Sequence, residues 1–149
     1  MPSHSTPLGP GLNDSSNPEA LGARLVFRFY AAAAITNGDI VVLDRADTTY
    51  GLGNSVKKST TTADAIDVVG VADATCTAGS WVPVVVWGLK QNANVADAVS
   101  AGDGLQSSTT AGRAGARGAG ETYFAIALED GNSDNQADVF VKALGPSAP

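Results

Sequence analysis

Trp81-Val82-Pro83-Val84-Val85-Val86-Trp87-Gly88 is the stretch that decides the fold. Its β-branched residues suit a pleated strand better than a helix. Alternation places Val82, Val84 and Val86 on one face and Trp81, Pro83, Val85 and Trp87 on the other. Both faces are apolar, so the strand is expected to be covered on both sides. Proline cannot donate to a ladder, which predicts an edge strand or a bulge at Pro83. Two readings of the tryptophans stay open: Trp81, Pro83 and Trp87 form a subunit interface, or both indoles fill the domain's own core.

Working outward, the same kind of unit occurs twice. Gly38-Asp39 leads into Ile40-Val41-Val42-Leu43, and after a polar excursion come Val68 to Asp73 and the Trp81 strand. Gly102-Asp103 leads into Gly104-Leu105, and after a glycine-rich excursion come Phe124 to Asp130 and Asp138 to Gly145. The offsets are 64 residues from Asp39 to Asp103, 56 from Ala72 to Leu128 and 57 from Gly88 to Gly145. A duplicated short-stranded β unit explains them; so does the self-similarity of any all-β chain with regular turns. Leu25-Val26-Phe27-Arg28-Phe29-Tyr30 reads as a further strand, with Leu25, Phe27 and Phe29 on one face. Ala31 to Ala34 suits either helix or strand. Asn37-Gly38 is a turn signal.

The 149 residues suit one domain with tails, small enough for oligomerisation to add stability. The 17 glycines and the valine-rich apolar share favour turns and strands. A net charge of −6 argues against nucleic acid and against an anionic membrane as partners. No run reaches the roughly 18 to 20 apolar residues of a membrane span. Cys76 stands alone and forms no internal disulfide. Met1-Pro2-Ser3-His4 lacks the basic and apolar regions of a secretory leader, so synthesis in a cytoplasm is expected.

Three segments follow from composition: a Pro/Ser/Gly-rich arm at 1–23, a β-rich body at 24–145 and a frayed tail at 146–149. Prolines 2, 7, 10 and 18 keep the arm from forming a helix or a central strand. Leu8, Pro10, Leu12 and Leu21 are its candidate anchors on a partner.

Candidate chemistry is sparse. His4, the only histidine, lies in the arm, which leaves no nucleophile–histidine pair on a rigid scaffold and no histidine-based zinc site. The glycine-rich run 112–120 lacks the Lys-Ser/Thr ending of a phosphate loop and reads as a solvated loop. Glu129-Asp130-Gly131-Asn132-Ser133-Asp134 has calcium-like residues without the spacing of an EF-hand, and a hairpin turn is the plainer reading. Asp39 and Asp103 are expected to cap backbone amides in their turns. No basic residue stands near Cys76 to activate it. The expectation is no catalytic residue, no metal site and no cofactor.

Ala31 to Leu43, the Val69-Gly70-Val71-Ala72 segment, the Val84-Val85-Val86-Trp87-Gly88 strand and the Ala101-Gly102-Asp103 turn together resemble the capsid cement, or head-decoration, proteins of tailed phages. The resemblance covers residues 25 to 145. It implies an all-β, compact β-tulip or β-clip barrel of the phage lambda head-decoration type, preceded by an extended N-terminal arm. It further implies a virion protein on the outer capsid, made in the host bacterial cytoplasm. Its partners would be the major capsid protein and itself, as a homotrimer or dimer, with the arm adding to capsid strands. The polar insertion Asp44 to Asp64 and the 112–120 run depart from the pattern. Two other readings are a tail or fibre component, and a small barrel that stacks a carbohydrate on Trp81 or Trp87.

Overall fold

The computed structural model describes residues 24–51, 53–61, 67–96 and 98–143. The arm with Leu8, Pro10, Leu12 and Leu21, the tail, and Leu144 lie outside the described residues. Among the described residues, nine strands form the body: β1 (Leu25–Ala31), β2 (Ile40–Leu43), β3 (Ser55–Lys58), β4 (Val68–Ala72), β5 (Trp81–Asn94), β6 (Gly104–Ser107), β7 (Ala114–Ala116), β8 (Ala125–Ala127) and β9 (Gln136–Lys142). The all-β expectation holds, and Ala31 ends a strand rather than opening a helix.

Strand order is β1-β3-β2-β4-β5-β9-β8-β6-β7, and β1 also pairs with β5. That extra pairing, Tyr30 opposite Trp81 through Leu25 opposite Trp87, closes β1-β3-β2-β4-β5 into a five-stranded barrel. The C-terminal half of β5 then pairs with β9, and Val95 just beyond β5 bridges to Ala114 of β7. A second ring of β5-β9-β8-β6-β7 results, so β5 is a wall of both barrels.

The two rings repeat one pairing scheme. Val41 faces Gly70 and Lys58, while Leu105 faces Ala125 and Ala116. Ala72 faces Val84, while Ala127 faces Val139. Gly38 and Gly102 both have φ of 90°, a conformation that favours glycine. Asp39 N donates to Thr36 O and Asp103 N to Ser100 O, each at 3.0 Å. The duplication is therefore built into the architecture. The sequence match of Ala72 with Leu128 is one residue off, because β4 and β8 align Ala72 with Ala127.

The cores repeat as well. Inside the first barrel Ala31, Ile35, Val41, Val56, Ala72, Val82, Val84 and Val86 pack together. Their equivalents, Val95, Val99, Leu105, Ala114, Ala127, Ala137, Val139 and Val141, lie in the second cluster. Val56 and Val82 are replaced by alanines there, and Phe124 stands where the first barrel has Val69. The larger ring takes up volume that the smaller side chains leave, as interior packing density requires. The second cluster also holds Ile40, Val42, Val68, Val71 and Val85, the outward side chains of the first barrel. They form the joint between the barrels.

Three sequence expectations are corrected. β5 is flanked by β1, β4 and β9, so Pro83 is not on an edge. β4 stops at Ala72, opposite Val84, and the missing Pro83 amide falls where that ladder has ended; the Pro83 carbonyl still accepts from Asp73 N at 2.8 Å. The polar excursion contains β3, and the glycine-rich 112–120 run contains β7. Neither Ser-Val-Lys-Lys in β3 nor Ala-Gly-Ala in β7 has an apolar alternation to read.

Candidate docking surfaces

Several polar side chains of the body hold turns by accepting from backbone amides. Asp39, 4% exposed, accepts from Thr36 N at 2.7 Å and from Asn94 Nδ2 at 2.9 Å, and pairs with Lys58 Nζ at 2.8 Å. Asp103 repeats the cap alone, accepting from Ser100 N at 2.9 Å. In the calcium-like loop, Asp130 Oδ1 accepts from Ala101 N, Asn132 Oδ1 from Asp134 N and Gln136 N, and Glu129 Oε1 from Asp138 N. Those oxygens serve backbone amides. Among the described residues, no three His, Cys, Asp or Glu side chains converge on one point.

A small polar cleft lies where β1 begins, lined by Arg24, Asp73, Lys90 and Asn92 among others. Asp73 holds Arg24 at 3.1 Å and Lys90 at 3.6 Å, and Lys90 Nζ donates to Gln91 O at 2.6 Å. Burial pushes the Lys90 amine below its usual range, and the Asp73 carboxylate opposes that shift. The cluster ties the start of β1 to β5. Cys76 sits beside the Ile35 bridge, and burial pushes its thiol up from the ordinary value, away from nucleophilic use.

What the surface offers is aromatic. Trp81 is 52% exposed and Trp87 is 42% exposed, so the reading of both indoles as core is wrong. They do not form one patch. Trp81 stacks on Tyr30 with centroids 3.9 Å apart, and Tyr30 stacks on Tyr50 at 4.4 Å. Trp87 meets Phe140 edge-on at 5.4 Å and is the register partner of exposed Leu25. On the same side of the second barrel, Tyr123 lies under Arg117 at 4.7 Å and Lys142 at 5.2 Å. Half-buried Pro83 lies on β5 between the two clusters. Rigid, desolvation-ready rings on a closed sheet are the material of protein interfaces.

Residues 21–143 match the sequence profile of a family described as phage cement protein. The chain belongs to the phage cement protein family. The match spans both barrels, so the family's characteristic unit is the whole duplicated body. Among curated proteins, none matches this sequence. A solved structure with the same fold is the N-terminal base of the head fibre gp8.5 of bacteriophage phi29. The two superpose with a TM-score of 0.55 at 14% identity, over 81% of this chain and 96% of that one. This cement protein is accordingly a structural phage protein with a capsid-associated role. Tyr30, Tyr50 and Phe140 escaped the sequence reading as site residues. Tyr30 and Phe140 stand in strand-like runs and Tyr50 in the loop between β2 and β3, and only the folded chain shows which rings meet.

Proposed function

We propose that this protein binds the outer surface of a phage head and ties major capsid protein subunits together against internal pressure. The family match over 21–143 carries the reading. A clamp bridging capsomers adds contact area that rupture must undo, and many copies per particle make modest affinities sufficient. The arm at 1–23, through Leu8, Pro10, Leu12 and Leu21, is proposed to order on capsid strands, while the barrels supply a rigid seat. Self-association as a trimer or dimer on the capsid, through Trp81, Pro83 and Trp87, belongs to the same reading.

The test is co-sedimentation with expanded heads stripped of accessory protein, with bound copies counted per major capsid subunit. Saturation at a symmetry-related ratio, with greater heat resistance of the heads, is expected. Absence of binding to the matching heads would refute it. Removing 1–23 should leave a folded body that binds heads more weakly, and unchanged affinity would refute the arm's role.

The phi29 neighbour favours a second reading, the base of a head-borne fibre, since that protein is described as a fibre base. Rods projecting from decorated heads in electron micrographs would select it.

A further inference from the structure

β1 is held on both sides for only part of its length. On one side it pairs with β5 from Leu25 to Tyr30, in unbroken register from Val26 onward. On the other side β3 pairs with Tyr30 and Ala31 alone. The Ala31 amide donates to Ser80 O beside β5 at 2.9 Å, and the Tyr30 amide donates to Asn54 O on the β3 side at 2.8 Å. Alternation then turns the Arg28 amide and carbonyl away from β5. That suits its register partner Pro83, which has no amide to give. β3 does not follow β1 so far, because Asn54 N turns back to Gly51 O at 3.2 Å. Among the described residues, the edge from Leu25 to Phe29 has no strand beside it.

The second barrel shows how this fold closes such an edge. There β5 takes the part of β1: Lys90 faces Val139 where Phe27 faces Val84, and Val95 bridges to Ala114 where Ala31 meets Val56. The strand bulges between Lys90 and Ala93, and Asn92, with φ of 53°, donates its amide to Asp138 Oδ1 at 3.0 Å. Lys90, only 4% exposed, folds in to donate to Gln91 O. A bulge and an inward lysine are devices that keep an edge from pairing with other chains. Between Val26 and Tyr30, β1 has neither. In place of Lys90 it carries Phe27, 46% exposed, near Leu25 at 39%.

We infer that an extended segment of the major capsid protein adds to β1 at this edge, exchanging main-chain hydrogen bonds with Arg28. Strand addition draws affinity from the backbone and specificity from alternate side chains. The incoming strand should carry an apolar side chain beside Phe27 and an acidic one beside exposed Arg28. The inference rests on the capsid reading and deepens it by naming the element that makes the contact. It is independent of the arm at 1–23.

The experiment compares two full-length variants with wild type on stripped heads. Arg28→Pro removes the edge amide and puts a ring where the incoming strand would lie, at a position where β5 offers no bond to lose. Arg28→Ala removes the charge and keeps the amide. Arg28→Pro should bind about tenfold or more weaker than wild type, and Arg28→Ala about threefold or less. Equal weakening by the two, or wild-type affinity in Arg28→Pro, would overturn the inference and leave the capsid reading standing. Wild type that leaves the heads unbound would refute the capsid reading, and the inference with it. If urea unfolding shows Arg28→Pro to be misfolded, hydrogen exchange in the wild type decides. The Arg28 amide should exchange fast in the free chain and slowly on heads, while the Phe29 amide, facing β5, is slow in both. An Arg28 amide slow in the free chain, or fast in both states, would overturn the inference. Loss of such protection on removing 1–23 would assign the edge to the chain's own arm instead.

Discussion

Gly38 and Gly102 allow the joint to be probed by one substitution made twice. Both have φ of 90°, and both open a repeat with the same turn hydrogen bond. A Cβ at Gly102 would meet nothing within 4 Å, whereas one at Gly38 would lie 2.5 Å from the carbonyl oxygen of Asn92. Gly102→Ala therefore carries left-handed strain alone, roughly 1 kcal/mol. Gly38→Ala carries the same strain and must also push back a backbone atom of β5. Overpacking of that kind costs about 1–3 kcal/mol. The shift would also stretch the bonds from Asn94 to Gly38 O and Asp39 Oδ1. The total for Gly38→Ala is then about 2–4 kcal/mol, and the difference between the variants should lower the melting temperature by about 2–4 °C per kcal/mol. Urea denaturation of both variants at one pH, with slopes compared to confirm a common unfolded state, reads the difference directly. Costs equal within about 0.5 kcal/mol would refute the claim that Gly38 is pinned by close approach at the joint.

The neighbouring aspartates should separate in the same direction. Asp39→Ala strands Lys58 and Asn94 and should cost about 2–4 kcal/mol, against about 1 kcal/mol for Asp103→Ala, which loses a single cap; equal losses in urea titrations would count against the ion pair. Lys90 should make stability rise at alkaline pH. Its folded amine titrates below the usual lysine value of about 10.4, so between the two values the unfolded chain binds more protons and unfolding becomes harder as pH increases. The stability of wild type relative to Lys90→Met should improve from neutral pH toward that value, and a constant difference would exclude the buried amine as its source. Cys76, with its thiol pKa raised by burial, should react with iodoacetamide near pH 8 several times more slowly than glutathione; an equal rate would refute the burial argument.

The legible parts of the fold were those written in valine and glycine. Gly38-Asp39 and Gly102-Asp103 announced the repeat because a left-handed turn restricts residue choice. The Trp81 strand announced itself through β-branched residues. The second half of β5, Leu89 to Asn94, did not, because Lys90, Gln91, Asn92 and Asn94 are polar; Lys90 and Asn94 pair with β9, while Gln91 and Asn92 fall at a register shift between them. β3 and β7 were hidden for the same reason: their place comes from neighbours, which local propensity does not encode. For the site, exposure of the tryptophans could not be read from alternation, since a face that is apolar in sequence is core or surface depending on whether another layer arrives. In the first barrel that layer is the second barrel. On the Phe140 side of the second, the described residues supply none.

β5 gives the molecule an indivisible character. Its fourteen residues form a wall of the first barrel and then of the second, without a linker between them. Neither ring can open by itself without removing a stave from the other. Unfolding should proceed in one step, and proteases should find whole protein or fragments rather than a surviving half. A tug applied to one ring reaches the other along a continuous backbone, with the rows of amide bonds on both sides loaded together. A fastener made this way has no weak middle.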